Sequence, residues 1–116
     1  MPDLRGALRA EGLRLGFDVV RFASADASAN AASNLQAFLD NGHHGTMDWM
    51  ARNATARADP KTLWPEAKSV IVLGMNYGPK RDPRERLAAK DRAAISCYAQ
   101  NDDYHDVMKA KLKQFA

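Results

Sequence analysis

The sequence predicts an α/β fold of the α+β kind. Two observations indicate it: apolar residues recur at helical spacing near both ends of the 116-residue chain, and short runs rich in β-branched residues lie between these stretches. Hydrophobic residues make up 46% of the chain, which is enough for one compact domain with its own core. We therefore expect an N-terminal helix, central strands and a C-terminal helix.

The first element predicted is an amphipathic helix over residues 3 to 15. Its apolar stripe is formed by Leu4, Ala7, Leu8, Glu11 and Leu15. Gly16 is a typical helix stop, because glycine readily adopts the left-handed conformation that ends helices. Residues 17 to 23 (FDVVRFA) then predict a buried strand.

The middle of the chain predicts two helices separated by a loop. Residues 33 to 40 place Leu35, Phe38 and Leu39 on one stripe, and Asn41-Gly42 closes that helix. A short helix is expected over residues 45 to 53. Pro60 and Pro65 argue against a continuous helix from 55 to 66, because proline interrupts the hydrogen-bond pattern of a helix.

Two further strands are expected in the second half. Residues 69 to 77 (SVIVLGMNY) are the most apolar segment and predict a central strand, and residues 94 to 99 predict a third. Between them, residues 80 to 92 are dense in charge and predict an exposed loop with one weak helical turn.

The last element predicted is a helix over residues 103 to 115, capped by Asp102 or Asp103. Its stripe contains Tyr104, Val107, Met108, Lys111, Leu112 and Phe115. The stripe reaches the end of the sequence without a glycine or proline stop, so we expect the natural chain to continue.

Composition excludes several kinds of protein. Cys97 is the only cysteine, so the chain cannot form an internal disulfide or complete a cysteine-ligated metal cluster. No run of about 18 apolar residues and no export signal occur, so we expect a cytoplasmic protein without membrane contact. The net charge of +3 is compatible with a nucleic-acid partner but does not require one.

Several side chains are candidates for binding. The adjacent His43 and His44 point in different directions and favour a glycine-flanked turn over a metal site. Trp49 and Met50 suit a cofactor wall or a core, and we favour the core. Arg57 lies in a polar segment where a guanidinium can bind carboxylate, amide or phosphate groups, and a solvated surface arginine fits equally well.

Residues 95 to 105 are the richest segment in reactive groups. From Cys97 onward they hold a thiol, two phenols, carboxylates and an imidazole at a predicted strand-to-helix junction. Ligands of α/β proteins often bind at such junctions, beside the free N–H groups of the helix. Helix capping and ordinary packing explain the same residues equally well. Composition alone therefore leaves open whether this segment forms a ligand site or has only a structural role.

Four sequence motifs, in this order along the chain, resemble those of the epoxyqueuosine reductase family, and together they span about residues 13 to 115. They are LGFD from Leu15, GHHG with MDWM from Gly42, RADP leading to VIVLGMNY from Arg57, and ISCYA with DYH from Ile95. The last motif, ISCYA with DYH, is the most specific. The four motifs in order indicate the family more strongly than any one of them alone.

The resemblance implies an oxidoreductase that reduces epoxyqueuosine to queuosine at the wobble position of tRNA, the last step of queuosine biosynthesis. Cobalamin and two [4Fe-4S] clusters are the implied cofactors. Residues 1 to 116 would be the N-terminal part of a cobalamin-binding domain of the DUF1730 type, similar to those of reductive dehalogenases and related to flavin nitroreductases. The ferredoxin-like cluster domain and the proton-donating aspartate would lie downstream, so we expect this piece alone to be inactive.

Carried over to this sequence, the resemblance implies a set of contacts in one pocket. Arg57, Cys97 and Tyr98 would contact cobalamin, while Asp103, Tyr104 and His105 would line the substrate pocket. The implied partner is a tRNA anticodon loop that contains epoxyqueuosine, bound by a monomer whose electron donor is not identified.

Two other readings stay open at this stage. One is a non-catalytic module that binds a corrinoid or a flavin, and the other is a protein-binding domain without a small ligand. A cysteine-rich cluster motif downstream in the gene would favour the enzyme. The charged loop over residues 80 to 92 offers Arg81, Arg84, Arg86, Lys90 and Arg92 to tRNA phosphates, although such loops are more often only solvated.

Overall fold

A computed structural model describes residues 1–26 and 28–116 and contains both helices and strands. The helices are α1 (Leu4–Arg14), α2 (Ala31–Asp40), α3 (Trp49–Arg52), α4 (Ala54–Ala58) and α5 (Tyr104–Phe115). The strands are β1 (Val19–Ser24) and β2 (Ser69–Gly74), and 3₁₀ turns occur at Pro60–Thr62, Pro83–Ala88 and Cys97–Ala99. The predicted mixed class is therefore confirmed.

The chain divides into two compact units. The first comprises Met1–Val20 with Leu73–Ala116 and contains α1 and α5; the second is Arg21–Val72 and contains α2, α3 and α4. The strands form a two-stranded antiparallel sheet, flanked by hydrogen bonds from Asp18 N–H to Gly74 O (2.9 Å) and from Ala25 N–H to Lys68 O (3.0 Å).

Helix α1 ends in a glycine motif, as its sequence predicts. Gly16 has a φ of 95°, which lies in the left-handed region that side chains with a Cβ atom rarely adopt. The Gly16 N–H donates to Leu13 O at 3.0 Å, and the Phe17 N–H donates to Gly12 O at 3.1 Å. These two bonds form a Schellman motif, which satisfies carbonyl groups that the helix end would leave free.

A close approach at Gly12 organises the core of the first unit. A Cβ atom on Gly12 would lie 2.6 Å from Val20 Cγ2, 3.3 Å from Leu73 Cδ2 and 3.5 Å from Phe115 Cε2. Phe17 and Val20 beside it are only 2% and 1% exposed. Gly12 is thus the point where α1, both strands and α5 come together, and the missing side chain makes this contact sterically allowed.

Lys111 joins α5 to the end of α1. Its ammonium group donates to the carbonyl oxygen of Leu15, the C-cap residue of α1, at 2.5 Å. A cation is favourable there because unpaired carbonyl groups give a helix C-terminus a partial negative charge. This contact explains why a lysine occupies the half-buried stripe of α5.

In the second unit, α2 packs against α4. The predicted stripe is confirmed, because Leu35, Phe38 and Leu39 are partly buried while most other α2 residues are exposed. The short helix expected over 45 to 53 occurs only as α3, and α4 follows it directly. As predicted, no continuous helix crosses Pro60, since α4 ends at Ala58.

The third strand expected over residues 94 to 99 is wrong. Cys97–Ala99 is a 3₁₀ turn instead, in which the Ala99 N–H donates to Ser96 O at 3.0 Å. The Gln100 side chain donates to Ile95 O at 2.8 Å, so local bonds occupy backbone groups that a sheet would use. The segment therefore folds on itself rather than pairing with β2.

The other strand predictions need smaller corrections. The first strand begins at Val19 rather than at Phe17, because Phe17 belongs to the Schellman motif. The strand predicted for residues 69 to 77 is confirmed as β2, but it ends at Gly74. Its central position in a sheet is wrong, because β2 has β1 as its one neighbour among the described residues. Ile71 and Val72 are 37% and 52% exposed, so the apolar run is not buried on both faces.

We predict that Gly12→Ala destabilises the chain, although alanine normally favours a helix over glycine by about 1 kcal/mol. The new methyl group would overlap Val20, and overpacking of a core typically costs about 1–3 kcal/mol. The free energy of unfolding, measured by urea titration, should fall by about 1–2 kcal/mol.

Gly74→Ala is the matched control. A Cβ atom there would lie 3.5 Å from Val19 Cβ, which is ordinary contact, so this variant should unfold within about 0.5 kcal/mol of the wild type. Equal stability of the Gly12→Ala and Gly74→Ala variants would show that the approach at Gly12 does not constrain the fold.

Candidate functional site

The N-terminus of α5 is capped by Asp103, one of the two residues predicted for this role. Its carboxylate accepts the backbone N–H of His105 at 2.9 Å and lies 2.8 Å from Nδ1 of the same residue. One side chain therefore caps the helix and orients an imidazole ring at the same time.

Three rings form a continuous group beside this cap. The Tyr104 and His105 rings stack with centroids 4.1 Å apart and planes inclined by 26°. The Tyr98 ring meets Tyr104 edge to face at 6.4 Å. Both geometries are favourable for rings, so this group holds its shape although it lies at the surface.

These residues line an open cleft of about 340 Å³, the site cleft, within the first unit. Tyr98 and Tyr104 are 55% and 46% exposed and present ring surface to solvent. Four of the six residues predicted for the pocket are thus brought together. The full lining is Tyr98, Ala99, Asn101, Asp103, Tyr104 and His105.

Local folding explains how Tyr98 reaches this cleft. Ser96 is extended, with φ of −57° and ψ of 140°, and the chain then turns tightly through Cys97–Ala99. This turn brings Tyr98 back toward the start of α5. Sequence reasoning missed Ala99 and Asn101 as lining residues, although both lie in the segment singled out for its reactive groups.

Cys97 is not among the residues that line the site cleft. Its partly buried, free thiol lines a neighbouring cleft of about 360 Å³ together with Lys80, Arg81 and Arg86. Asn101 lines both clefts. The predicted contact of Cys97 with cobalamin stays a prediction.

Arg57 belongs to the second unit, at the last turn of α4. Its guanidinium carbon lies 4.6 Å from the ring centroid of Trp49, within the range of a cation–π interaction. Trp49 is 46% exposed, so the expectation that it fills a core is wrong. Arg57 also lines a cleft of about 320 Å³ in which Leu63 is 78% exposed.

The paired histidines lie in the expected turn. Gly42 and Gly45 on either side have φ of 68° and 56°, and the His43 ring packs edge to face on Phe38 at 5.4 Å. Nδ1 of His44 is buried without a partner in the part of the chain that the structure describes. Within that part, no three His, Cys, Asp or Glu residues are grouped as metal ligands.

The electrostatics of the site cleft are set by Asp103. Its pKa lies below the ordinary value, first because the backbone N–H of His105 donates to it and then because the His105 side chain does. The carboxylate is therefore ionised at neutral pH. The site cleft combines this anion with two phenols, one imidazole and exposed ring surface, a set suited to a flat ligand with polar edges.

Comparison with known proteins identifies the family. The family described as "Epoxyqueuosine reductase QueG, DUF1730" matches residues 57–116, more than half of the chain. The chain belongs to this family. The match begins at Arg57 and includes the whole lining of the site cleft.

Curated relatives agree with this assignment. Proteins named epoxyqueuosine reductase from Vibrio cholerae and Escherichia coli are 38% and 39% identical to the chain and cover 97% and 98% of it. One from Cellulophaga algicola is 39% identical over 92% of the chain. The chain spans only 30–33% of the length of these three relatives. No solved structure matches the chain significantly.

Among the described residues, no helix is both long enough and apolar enough to cross a bilayer.

We predict that Asp103 titrates below the ordinary range of an aspartate, and that His105→Ala raises its pKa only in part. Alanine removes the side-chain bond but keeps the backbone N–H that is the larger cause. Titration of the Asp103 carboxyl carbon by NMR measures both values. A return to the ordinary pKa in His105→Ala would show that the ring, and not the helix cap, controls this carboxylate.

The same shift predicts how the cap responds to pH. Because the pKa of Asp103 is lower in the folded chain than in the unfolded chain, its stabilising effect is complete above the unfolded pKa. This effect is lost as pH falls through the lower, folded pKa. In Asp103→Asn, the acid-induced loss of stability below about pH 4 should be smaller than in the wild type.

Proposed function

We propose that the chain supplies part of the cobalamin and substrate pocket of an enzyme that reduces epoxyqueuosine to queuosine at the wobble position of tRNA. The observation that carries this proposal is the extent of the family match. It covers Arg57 and all residues of the site cleft, and the relatives that match are named for this reduction. The activity would belong to the longer protein, of which the chain resembles about a third.

The residues of the site cleft fit a contribution to a corrinoid site. Cobalamin combines a flat macrocycle with amide side chains, and the cleft offers exposed aromatic rings beside hydrogen-bonding groups. A space of about 340 Å³ is too small for the entire cofactor, so these residues would contact only part of it. Tyr98 would contact the macrocycle, while Arg57 and Cys97 would be further contacts.

Bound cobalamin would supply the reducing electrons for the epoxide, as cofactors generally supply the difficult chemistry of an enzyme. Two [4Fe-4S] clusters would feed it, and they would bind elsewhere in the longer protein because one cysteine cannot ligate a cluster. The likeness to reductive dehalogenases and flavin nitroreductases, the cytoplasmic location and the monomeric state stay predictions.

The chain's own residues would hold the substrate rather than donate the proton. Asp103 has a lowered pKa and is already ionised, which makes it a poor acid at neutral pH. Its bond to Nδ1 of His105 fixes the imidazole and leaves Nε2 available to hydrogen-bond a nucleoside. Tyr104, stacked on that ring, would offer a flat surface to a base.

The experiment that tests the cofactor assignment is a titration of the purified chain with cob(II)alamin, followed by absorbance and EPR. The wild type should give a saturable change. Tyr98→Ala and Arg57→Ala should each raise the Kd about two- to tenfold, because one ring contact or one hydrogen bond to the cofactor contributes about 0.5–1.5 kcal/mol.

Trp64→Ala is the control, since Trp64 is 64% exposed and lines none of the clefts that contain Tyr98, Arg57 or Cys97. Its Kd should match that of the wild type. A folded wild-type chain that gives no saturable change, or equal affinities in all variants, would contradict the assignment of cobalamin to these residues.

A further inference from the structure

The positive charge of the chain is concentrated in one short segment. Residues 80 to 92 contain six of the 17 basic and three of the 14 acidic residues, which gives this segment a net charge of +3. The rest of the chain holds 11 residues of each sign, so the segment accounts for the entire net charge. A local excess of this kind marks a surface that attracts anions.

The structure places five of the six cations of this segment in two groups. Arg84 is neutralised by Asp82, whose carboxylate accepts Nε at 3.0 Å and Nη2 at 2.7 Å. Arg92 pairs likewise with Asp91 at 2.9 Å. These internal pairs lower the pKa of each aspartate, chiefly through the side-chain bond from its arginine, and keep both arginines occupied.

The second group forms a basic cleft. Lys80, Arg81 and Arg86 line the space of about 360 Å³ beside Cys97, and none of them makes an ion pair with a carboxylate among the described residues. Tyr77 lies in the same lining and is 61% exposed. The basic cleft thus offers three uncompensated cations and one exposed ring.

We infer that the basic cleft binds the phosphodiester backbone of single-stranded RNA. Cations track RNA phosphates, and an exposed aromatic side chain stacks an unpaired base, so the combination suits an RNA strand better than one small anion. The choice of RNA rests on the proposed function. Asn101 lines both the basic cleft and the site cleft, so a strand held by these cations would pass beside Tyr98 and Tyr104.

The test compares two double variants of the purified chain by fluorescence anisotropy with a labelled anticodon stem-loop RNA. Arg81→Ala/Arg86→Ala removes two unpaired cations, and its affinity should fall about tenfold at low salt. The slope of log K against log salt should become shallower by about 1.4, because each single-strand phosphate contact contributes about 0.7.

Arg84→Ala/Arg92→Ala is the matched control, because it removes the same number of charges and also frees two carboxylates. If only the overall electrostatic potential of residues 80 to 92 mattered, this control would weaken RNA binding at least as much as Arg81→Ala/Arg86→Ala does. The inference predicts a much smaller effect, within about twofold. Equal weakening by both double variants would overturn it, and so would a wild-type chain that does not bind the RNA.

Competition distinguishes the sources of the phosphate group. Inorganic phosphate should not displace the RNA at concentrations that leave ionic strength unchanged; displacement would show a small-anion site and overturn the inference. Displacement by cobalamin would assign the basic cleft to the phosphodiester of that cofactor and overturn it too. The cobalamin titration tests Tyr98 and Arg57, whereas the RNA titration tests Arg81 and Arg86. A chain that binds cobalamin but not the RNA would therefore refute only the RNA assignment.

Discussion

The absence of a side chain at Gly12 is the constraint on which the first unit depends. It lets α1 approach Val20, Leu73 and Phe115 closely enough to bury Phe17 and Val20. Phe115 lies near the end of α5, and Lys111, one turn earlier, binds the carbonyl that ends α1. These two contacts fix the direction of α5, and its N-cap and first two residues, Asp103 to His105, line part of the site cleft at the opposite end of the helix. A packing contact without functional groups therefore positions the residues proposed to bind substrate.

In and beside the two clefts, charge is organised by local pairing rather than by burial. Asp103 with His105, Asp82 with Arg84 and Asp91 with Arg92 are all exposed pairs within two residues of each other. Such pairs contribute little to stability, but they determine which groups remain available for a ligand. In the site cleft this leaves Nε2 of an oriented imidazole, and in the basic cleft it leaves three cations.

The spacing of apolar residues predicted the helices, which are stabilised by one apolar face. It failed where local hydrogen bonds or tertiary contacts determine the structure. The three helices α1, α2 and α5, the stop at Gly16 and the cap at Asp103 follow from residue spacing and the known roles of glycine and aspartate. The stripes predicted for α1 and α5 are confirmed only in part, because Leu4 in α1 is 67% exposed and Leu112 in α5 is 43% exposed. Residues 94 to 99 have the composition of a strand, yet the Gln100 side chain and a 3₁₀ bond occupy their backbone groups. Gly12 appears in the sequence only as a weak helix residue, because its partners are distant along the chain. Asp82 pairs with Arg84 rather than with Arg81 because of the geometry of the turn, which composition does not encode.

Four of the six pocket residues that the resemblance implied lie side by side in the site cleft of a chain that belongs to the family. The central claim of the proposed function is that the gene for this chain is needed to convert epoxyqueuosine to queuosine. The direct test is to delete that gene in the source organism and measure the nucleosides of total tRNA by mass spectrometry. Queuosine should be lost, epoxyqueuosine should accumulate, and the restored gene should reverse both changes. Unchanged queuosine without accumulation of the epoxide would contradict the proposed function.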